Sequence, residues 1–202
     1  MPRQSGKADQ PSQKIGAVAV VGGGIAGMQS ALDIANSGFK VYLVEEQSNV
    51  GGTMAQLDKT FPTNDCSSCM MGPKLVELAS QRDITILTRT TVEAIDGEPG
   101  KFKLTVKRNP RFVLEDRCTG CGECAKVCPI SVPANFDLAL NQRRAIYRHY
   151  PQAIPAAFAI DKRGVAPCKH ACPAGISVQG YVALVAQGRY QEALNLIKEN
   201  NP

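Results

Sequence analysis

The chain has eight cysteines in 202 residues, a run of four and two pairs. Cys118, Cys121, Cys124 and Cys128 are spaced C-x2-C-x2-C-x3-C, with Pro129 directly behind the last. That is the ligand spacing of a cubane [4Fe-4S] cluster. The thiolates can wrap one cluster only if the backbone between them curls tightly, which Gly120 and Gly122 allow, while the proline turns the chain away. A structural zinc site would show two separated cysteine pairs, and a disulfide framework needs no fixed run closed by proline. The pair Cys66 and Cys69 leaves three readings open: two ligands of a cluster completed from elsewhere, a redox dithiol, or two buried structural cysteines. Cys168 and Cys172, followed by Pro173, repeat the last half of the run and are expected to ligate a second cluster. In two-cluster ferredoxins the fourth cysteine of the run serves the other cluster, so Cys128 is expected to join either Cys168 and Cys172 or Cys66 and Cys69. His170 reads as a surface residue rather than a ligand.

A second group of residues could hold a nucleotide. Gly22, Gly24 and Gly27 form G-x-G-x-x-G between the β-branched run Ala17 to Val21 and an apolar-periodic helix from Met28 to Ser37. Strand, glycine turn and helix together let a pyrophosphate approach the backbone at a helix N-terminus. Gly38 stops the helix, and Lys40 to Val44 alternates as a second strand ending in Glu45, placed to grip an adenosine ribose. Gly51, Gly52 and Thr53 follow. A second glycine pair just past the acid resembles FAD-binding two-dinucleotide-domain flavoproteins more than simple NAD dehydrogenases.

The composition is ordinary, with 44% hydrophobic and 20% charged residues and a net charge of +5. Neither a nucleic-acid surface nor a membrane anchor is indicated, and no apolar run approaches a membrane span. Residues 1–14 are polar, lack the apolar core of a signal peptide, and read as a disordered tail. Cysteines clustered for metal in such a chain point to a reducing, cytoplasmic compartment.

These sites need elements to position them. Residues 15–108 read as the N-terminal part of an α/β, Rossmann-like FAD-binding domain, with a helix running through Ala79. Strands follow at Ile84 to Leu87, Thr91 to Ile95 and Phe102 to Val106, the last two as an antiparallel crossing. Residues 109–160 read as an inserted ferredoxin-like module. Lys107, Arg108, Arg111, Arg143, Arg144 and Arg148 around it are read first as a solvated face, second as charge that offsets a cluster or docks a partner. Residues 161–202 hold Cys168, Cys172 and a helical hairpin, Ser177 to Gln187 and Arg189 to Lys198, with Tyr181, Leu184, Val185, Ala193, Leu194 and Ile197 on one apolar face.

From Val20 to Ile160, the stretch Gly-Gly-Thr-Met-Ala-Gln-Leu-Asp-Lys-Thr-Phe-Pro-Thr, Cys66-Ser67-Ser68-Cys69, Pro73-Lys74 and the cysteine run resemble the A subunit of heterodisulfide reductase and its bacterial relatives. The resemblance implies an FAD domain of thioredoxin-reductase type interrupted by a ferredoxin insert. It also implies electron transfer among FAD, clusters and the other redox subunits of a complex, in which FAD can split an electron pair between two one-electron paths. The tail, Pro167 to Ile176 with Gly188 to Ala193 and Glu199 to Pro202, is similar to the iron–sulfur helical domain at the start of the small subunit of glutamate synthase. Both resemblances imply more sequence than is present, so the chain is expected to be part of a longer protein or to be completed by another chain.

Overall fold

The computed structural model describes residues 16–162 and 164–201; the polar stretch 1–14 lies outside them. The chain divides into one unit ending at Asp161 and a second beginning at Lys162. Among the described residues no helix is long and apolar enough to cross a membrane.

The first unit is built on a short parallel sheet. Strand β1 (Ala17–Val21) leads through helix α1 (Ile25–Asn36) to β2 (Lys40–Val44), paired in parallel from Ala17 opposite Lys40 to Val21 opposite Val44. Helix α1 starts earlier than the apolar periodicity indicates, because Gly24 is extended and serves as its N-cap. A 3-10 turn (Gly52–Gln56) and a small hairpin of β3 (Lys59–Thr60) and β4 (Asp65–Cys66) come next. Helix α2 (Ser67–Ser80) then crosses to β5 (Ile84–Leu87), which extends the sheet in the order β1-β2-β5. Proline is accommodated inside α2 at Pro73, where it cannot donate to the Cys69 carbonyl one turn back. Met28 and Leu32 of α1, Val41 and Leu43 of β2, and Met71, Leu75 and Leu78 of α2 form the core. An antiparallel hairpin, β6 (Thr90–Asp96) and β7 (Lys103–Arg108), follows.

From Asn109 the chain makes few regular elements: α3 (Glu123–Val127), β8 (Ser131–Pro133) with β9 (Gln142–Arg144), and β10 (Ile146–Tyr147) with β11 (Ala159–Ile160). Aromatic contacts hold it instead. Phe136 stacks on His149 at 5.3 Å and on Tyr150 at 5.7 Å, and the Arg143 guanidinium sits 3.6 Å over the Tyr147 ring. The basic residues are therefore not one solvated face. Arg111 is 8% exposed, Arg143 also pairs with Asp161 at 2.8 Å, and Arg148 lies over the Phe158 ring. Planar guanidinium groups stack on rings and satisfy buried acceptors, so charge alone did not forecast their burial.

His149 links this packing to pH. Burial first, then the charges of Arg143 and Arg111, hold its imidazole down at about 4. An unfolded histidine titrates near 6.5. Between those values the unfolded chain takes up a proton that the folded chain refuses, so stability is full above the unfolded value and falls as pH drops toward the folded one. Urea unfolding at pH 7.5 and pH 5 should differ by about 2 kcal/mol, and His149→Phe should flatten that difference. An unchanged pH dependence in the variant would assign it to other groups.

The second unit holds α4 (Pro167–Ala171), α5 (Val178–Ala186) and α6 (Tyr190–Lys198), with Gly188 at φ +73° between the last two. Gly180 of α5 meets Leu196 of α6, where an added Cβ would come 2.5 Å from the leucine methyl. Ala193 is buried, whereas Val185 and Leu194, expected on the covered face, are exposed. Two helices alone cover a narrow seam rather than a full apolar face.

Candidate functional site

The glycine turn and the acid at the end of β2 are brought together. The Glu45 carboxylate accepts the backbone N–H of Gly23 at 2.6 Å and that of Gln47 at 2.8 Å. Glu45 is buried, and its own N–H donates to the Leu87 carbonyl of β5. Sequence spacing did not single out Gly23, which is a variable position of the motif. A Cβ there would stand 2.7 Å from the carboxylate oxygen, so only glycine admits this approach. At Gly27 an added Cβ would run into the Gly22 carbonyl oxygen, which is the tight turn-to-helix packing expected of the third glycine. Gly24 faces open space and carries no side-chain cap, leaving the first N–H groups of α1 accessible to an anion. Beyond the carboxyl ends of β1 and β2 lies a cleft of about 420 Å³ lined by Gly22, Glu45, Glu46 and Thr90. Its size and its place at the strand ends suit a nucleotide. The residues present therefore fit the adenosine and pyrophosphate of FAD, with Gly51, Gly52 and Thr53 next along the chain.

The same strap of residues is fastened to the cysteine-bearing insert. Gly51 donates to the Gly23 carbonyl at 2.7 Å, and Val50 beside it donates to the Ile154 carbonyl at 2.8 Å. Asn49 Nδ2 donates to the Pro155 carbonyl, and the Tyr150 hydroxyl donates to the Val50 carbonyl at 2.6 Å. Burial pushes the Tyr150 phenol up to about 12, so it stays a donor. Arg111 donates to the Ser48 carbonyl at 2.6 Å, the Thr88 hydroxyl at 2.7 Å and the Ala157 carbonyl at 2.9 Å. Burial lowers the Arg111 pKa, opposed by Glu115. Arg111 and Tyr150 are the positioning residues that motif reading missed; a basic and an aromatic residue this far along the chain carry no local signal.

In the insert, Gly120 and Gly122 both take positive φ, +72° and +85°, which curls the run as the spacing requires. Cys118 Sγ accepts the Phe158 N–H at 3.4 Å. The Glu123 N–H, then the Thr119 side chain, lowers the Cys121 pKa. The N–H groups of Ile146 and Ile130 lower that of Cys128. Such donors favour the thiolate, the form that binds iron. Among the described residues no three His, Cys, Asp or Glu side chains converge as ligands of a single metal ion would. The curl at Gly120 and Gly122 and the N–H donors at the sulfurs are what fit the run to a cubane, in which each thiolate binds its own iron corner of one cluster.

The outlying pairs differ. Cys66 and Cys69 are joined as a disulfide, a state in which neither sulfur can serve as a thiolate ligand. Cluster ligation, one of the three readings of this pair, would need that bond reduced; Cys69 lies in the first turn that Cys66 caps, which brings the two sulfurs together. In the second unit, Cys168 lies on α4 and Cys172 at its end, with the N–H groups of Ile176 and Ala174 lowering the Cys172 pKa. His170 is exposed.

Known proteins place this geometry. Residues 17–110 match the model of the FAD dependent oxidoreductases and residues 112–133 that of the 4Fe-4S binding domain, which identifies FAD and a [4Fe-4S] cluster as the cofactors. An iron–sulfur A subunit of the CoB–CoM heterodisulfide reductase of Methanopyrus kandleri is 52% identical over 141 residues, covering 70% of this chain and 22% of the relative. A protein of Archaeoglobus profundus, named as like the A subunit of heterodisulfide reductase, is 46% identical over 182 residues, covering 78% and 26%. The chain thus spans about a quarter of the length of these curated relatives. The solved L-proline dehydrogenase from P. horikoshii shares 26% identity over 52% of this chain and 22% of its own, at a TM-score of 0.39, too partial to bear on function. Over the stretch it shares with these relatives, the chain belongs to the iron–sulfur flavoproteins of the heterodisulfide reductase A-subunit family, an FAD dependent oxidoreductase segment followed by a 4Fe-4S binding domain.

Proposed function

We propose that the chain is an electron-transfer segment of a cytoplasmic heterodisulfide reductase-like complex, passing electrons between FAD and [4Fe-4S] clusters and on to other redox subunits. The observation that carries this reading is the Glu45 to Gly51 strap. One side of it receives the glycine turn that fits the nucleotide, and the other is bonded to Tyr150, Ile154, Pro155 and Arg111 of the cluster-bearing insert. The two sites are thereby held on one rigid connection. FAD supplies the change between two-electron and one-electron transfer. The chain's own residues bind and orient: Gly22, Gly24 and Gly27 form the turn, Glu45 holds it, and Gly51, Gly52 and Thr53 line the second approach. Cys118, Cys121, Cys124 and Cys128 would hold the first cluster, with N–H donors to their sulfurs tuning its potential. Cys168 and Cys172 are assigned to a second. The relatives from Methanopyrus kandleri and Methanococcus maripaludis are by name single subunits of larger reductases, which supports partner subunits here.

Anaerobically purified protein should show a flavin spectrum together with iron and acid-labile sulfide. Protein taken from its natural complex without flavin would overturn the electron-transfer reading. Glu45→Gln keeps the size of the side chain and removes a charged acceptor shared by two N–H groups, so FAD should bind about 10- to 100-fold more weakly in a fluorescence titration. Unchanged affinity would show that Glu45 has no part in the nucleotide site.

A further inference from the structure

A separate cavity of about 340 Å³ opens where the turn between β5 and β6 meets the end of β7 and the first residues of the insert. Three arginines line it: Arg89, Arg108 and Arg111. It shares no lining residue with the nucleotide cleft. Arg89 is fixed there by its backbone, which takes the left-handed region at φ +54°. Its N–H donates to the Gln47 carbonyl at 2.8 Å, and its carbonyl accepts the Asn109 N–H at 2.7 Å. That region is uncommon for a side chain of this size, so the chain accepts strain to set this guanidinium in place. Gln47 in turn donates its N–H to Glu45, which puts the cavity beside the nucleotide strap without entering its cleft.

The charges at this cavity do not balance. Glu115 is the carboxylate that lines it, and the same oxygen, Oε2, lies 3.5 Å from Arg108 and 3.7 Å from Arg111. Three guanidinium groups against one carboxylate leave an excess of two positive charges. The Glu115 pairs leave Arg89 out, and its buried Nε has no hydrogen-bond partner among the described residues. Arg111 has its terminal nitrogens on Ser48, Thr88 and Ala157, so it brings charge to the cavity rather than free donors. Burial is the main cause that lowers the Arg111 pKa; Glu115 opposes it, and the charges of Arg89 and Arg108 lower it further. Like charges gathered in a partly dry site repel one another unless an anion joins them. The planar fork of arginine matches an oxyanion, phosphate above all. Pro110 and Leu114 add apolar surface to the same cavity, which is large enough for more than a bare ion.

We propose that Arg89 and Arg108 bind the phosphate group of a small organic phosphate in this cavity, with Arg111 supplying a third positive charge. A doubly charged oxyanion matches the excess, whereas a carboxylate would leave one charge uncompensated. Arg89, clamped through its backbone, supplies the directional contact. Arg108 has an exposed side chain and closes on the phosphate from the solvent side. Pro110 and Leu114 take the organic part. The site uses neither flavin nor clusters, so it does not rest on the electron-transfer reading above.

The test uses the full chain purified anaerobically with flavin and clusters, so that the nucleotide turn is filled. Calorimetric titration at low salt and about pH 8, well above a phosphate ester's second pKa of about 6, compares phenyl phosphate, inorganic phosphate and benzoate. Phenyl phosphate should bind saturably, about 10-fold or more tighter than benzoate and tighter than inorganic phosphate. Arg89→Gln should weaken it about 10- to 100-fold, and Arg108→Gln by less. Arg89→Lys keeps the charge without the fork and should fall between wild type and Arg89→Gln. Flavin and iron content equal to wild type show that a variant has folded; should Arg89→Gln fail there, the exposed Arg108→Gln carries the comparison. The proposal is overturned if phenyl phosphate does not bind saturably, the result expected where an acidic side chain from elsewhere fills the cavity. It is also overturned if benzoate binds as tightly, which would make this a general basic patch, or if a folded Arg89→Gln binds like wild type. Inorganic phosphate binding as tightly as phenyl phosphate would overturn the organic class of the ligand.

Discussion

Cys121→Ser should cost the protein one whole cubane, a drop of about four iron and four acid-labile sulfide per chain, with loss of the broad visible absorption of the cluster. The reason is local. Cys121 lies in the left-handed curl between Gly120 and Gly122, and the Glu123 N–H and Thr119 side chain already favour its thiolate. A serine hydroxyl stays protonated there and offers iron a poor ligand. The flavin spectrum should persist, because the glycine turn and Glu45 bond to other parts of the chain. Iron equal to wild type would remove the run from the ligand set. Cys172→Ser in the same assay separates two arrangements: falling iron means that the second unit contributes ligands, and unchanged iron means that Cys118 to Cys128 is a self-contained four-ligand site.

Gly27→Ala should be the most damaging single methyl in the nucleotide turn. The new Cβ would collide with the Gly22 carbonyl oxygen, which is backbone and cannot swing aside. Relief requires α1 to shift against β1 and β2, and α1 carries Met28 and Leu32 in the core. Overpacking of this kind costs about 3 kcal/mol, and the flavin should be lost with the turn. Denaturant unfolding measures the first effect and absorbance of the purified protein the second. Gly24→Ala is the control: a methyl there meets no atom within 4 Å in the folded chain, so stability should stay near wild type while FAD binding, which needs that open space, weakens. If Gly24→Ala and Gly27→Ala proved equally stable, the close approach at Gly27 would be refuted.

Much of the candidate site is legible in the sequence because its signals are short. A glycine turn, a strand ending in an acid, and four thiols with glycines between them each complete their meaning within a few tens of residues, as hydrogen bonds and φ angles set by neighbours. The strands at Ala17 to Val21 and Lys40 to Val44 were read directly from β-branched runs and alternation, and the parallel register follows from the helix between them. Arg111 and Arg143 were misread for a complementary reason, whereas Arg108 and Arg144 are exposed as expected. Charge predicts solvent exposure, but Arg111 finds three acceptors in the interior and Arg143 a ring and a carboxylate. A guanidinium so satisfied no longer needs water.

Sequence by itself marked the groups that the proposed chemistry would use: glycines and an acid for FAD, a cysteine run for a cluster, and a cysteine pair whose role three readings shared. Only tertiary structure decided how they are joined. Ser48 meets Arg111 across 63 residues and Val50 meets Tyr150 across 100, and those bonds bind the nucleotide turn to the cluster insert. It also decided that Cys66 and Cys69 face each other as a disulfide at the head of α2. Residue type and spacing specify what a side chain can bind. Which partner it meets depends on long-range packing, in which burial selects among contacts that no local pattern encodes.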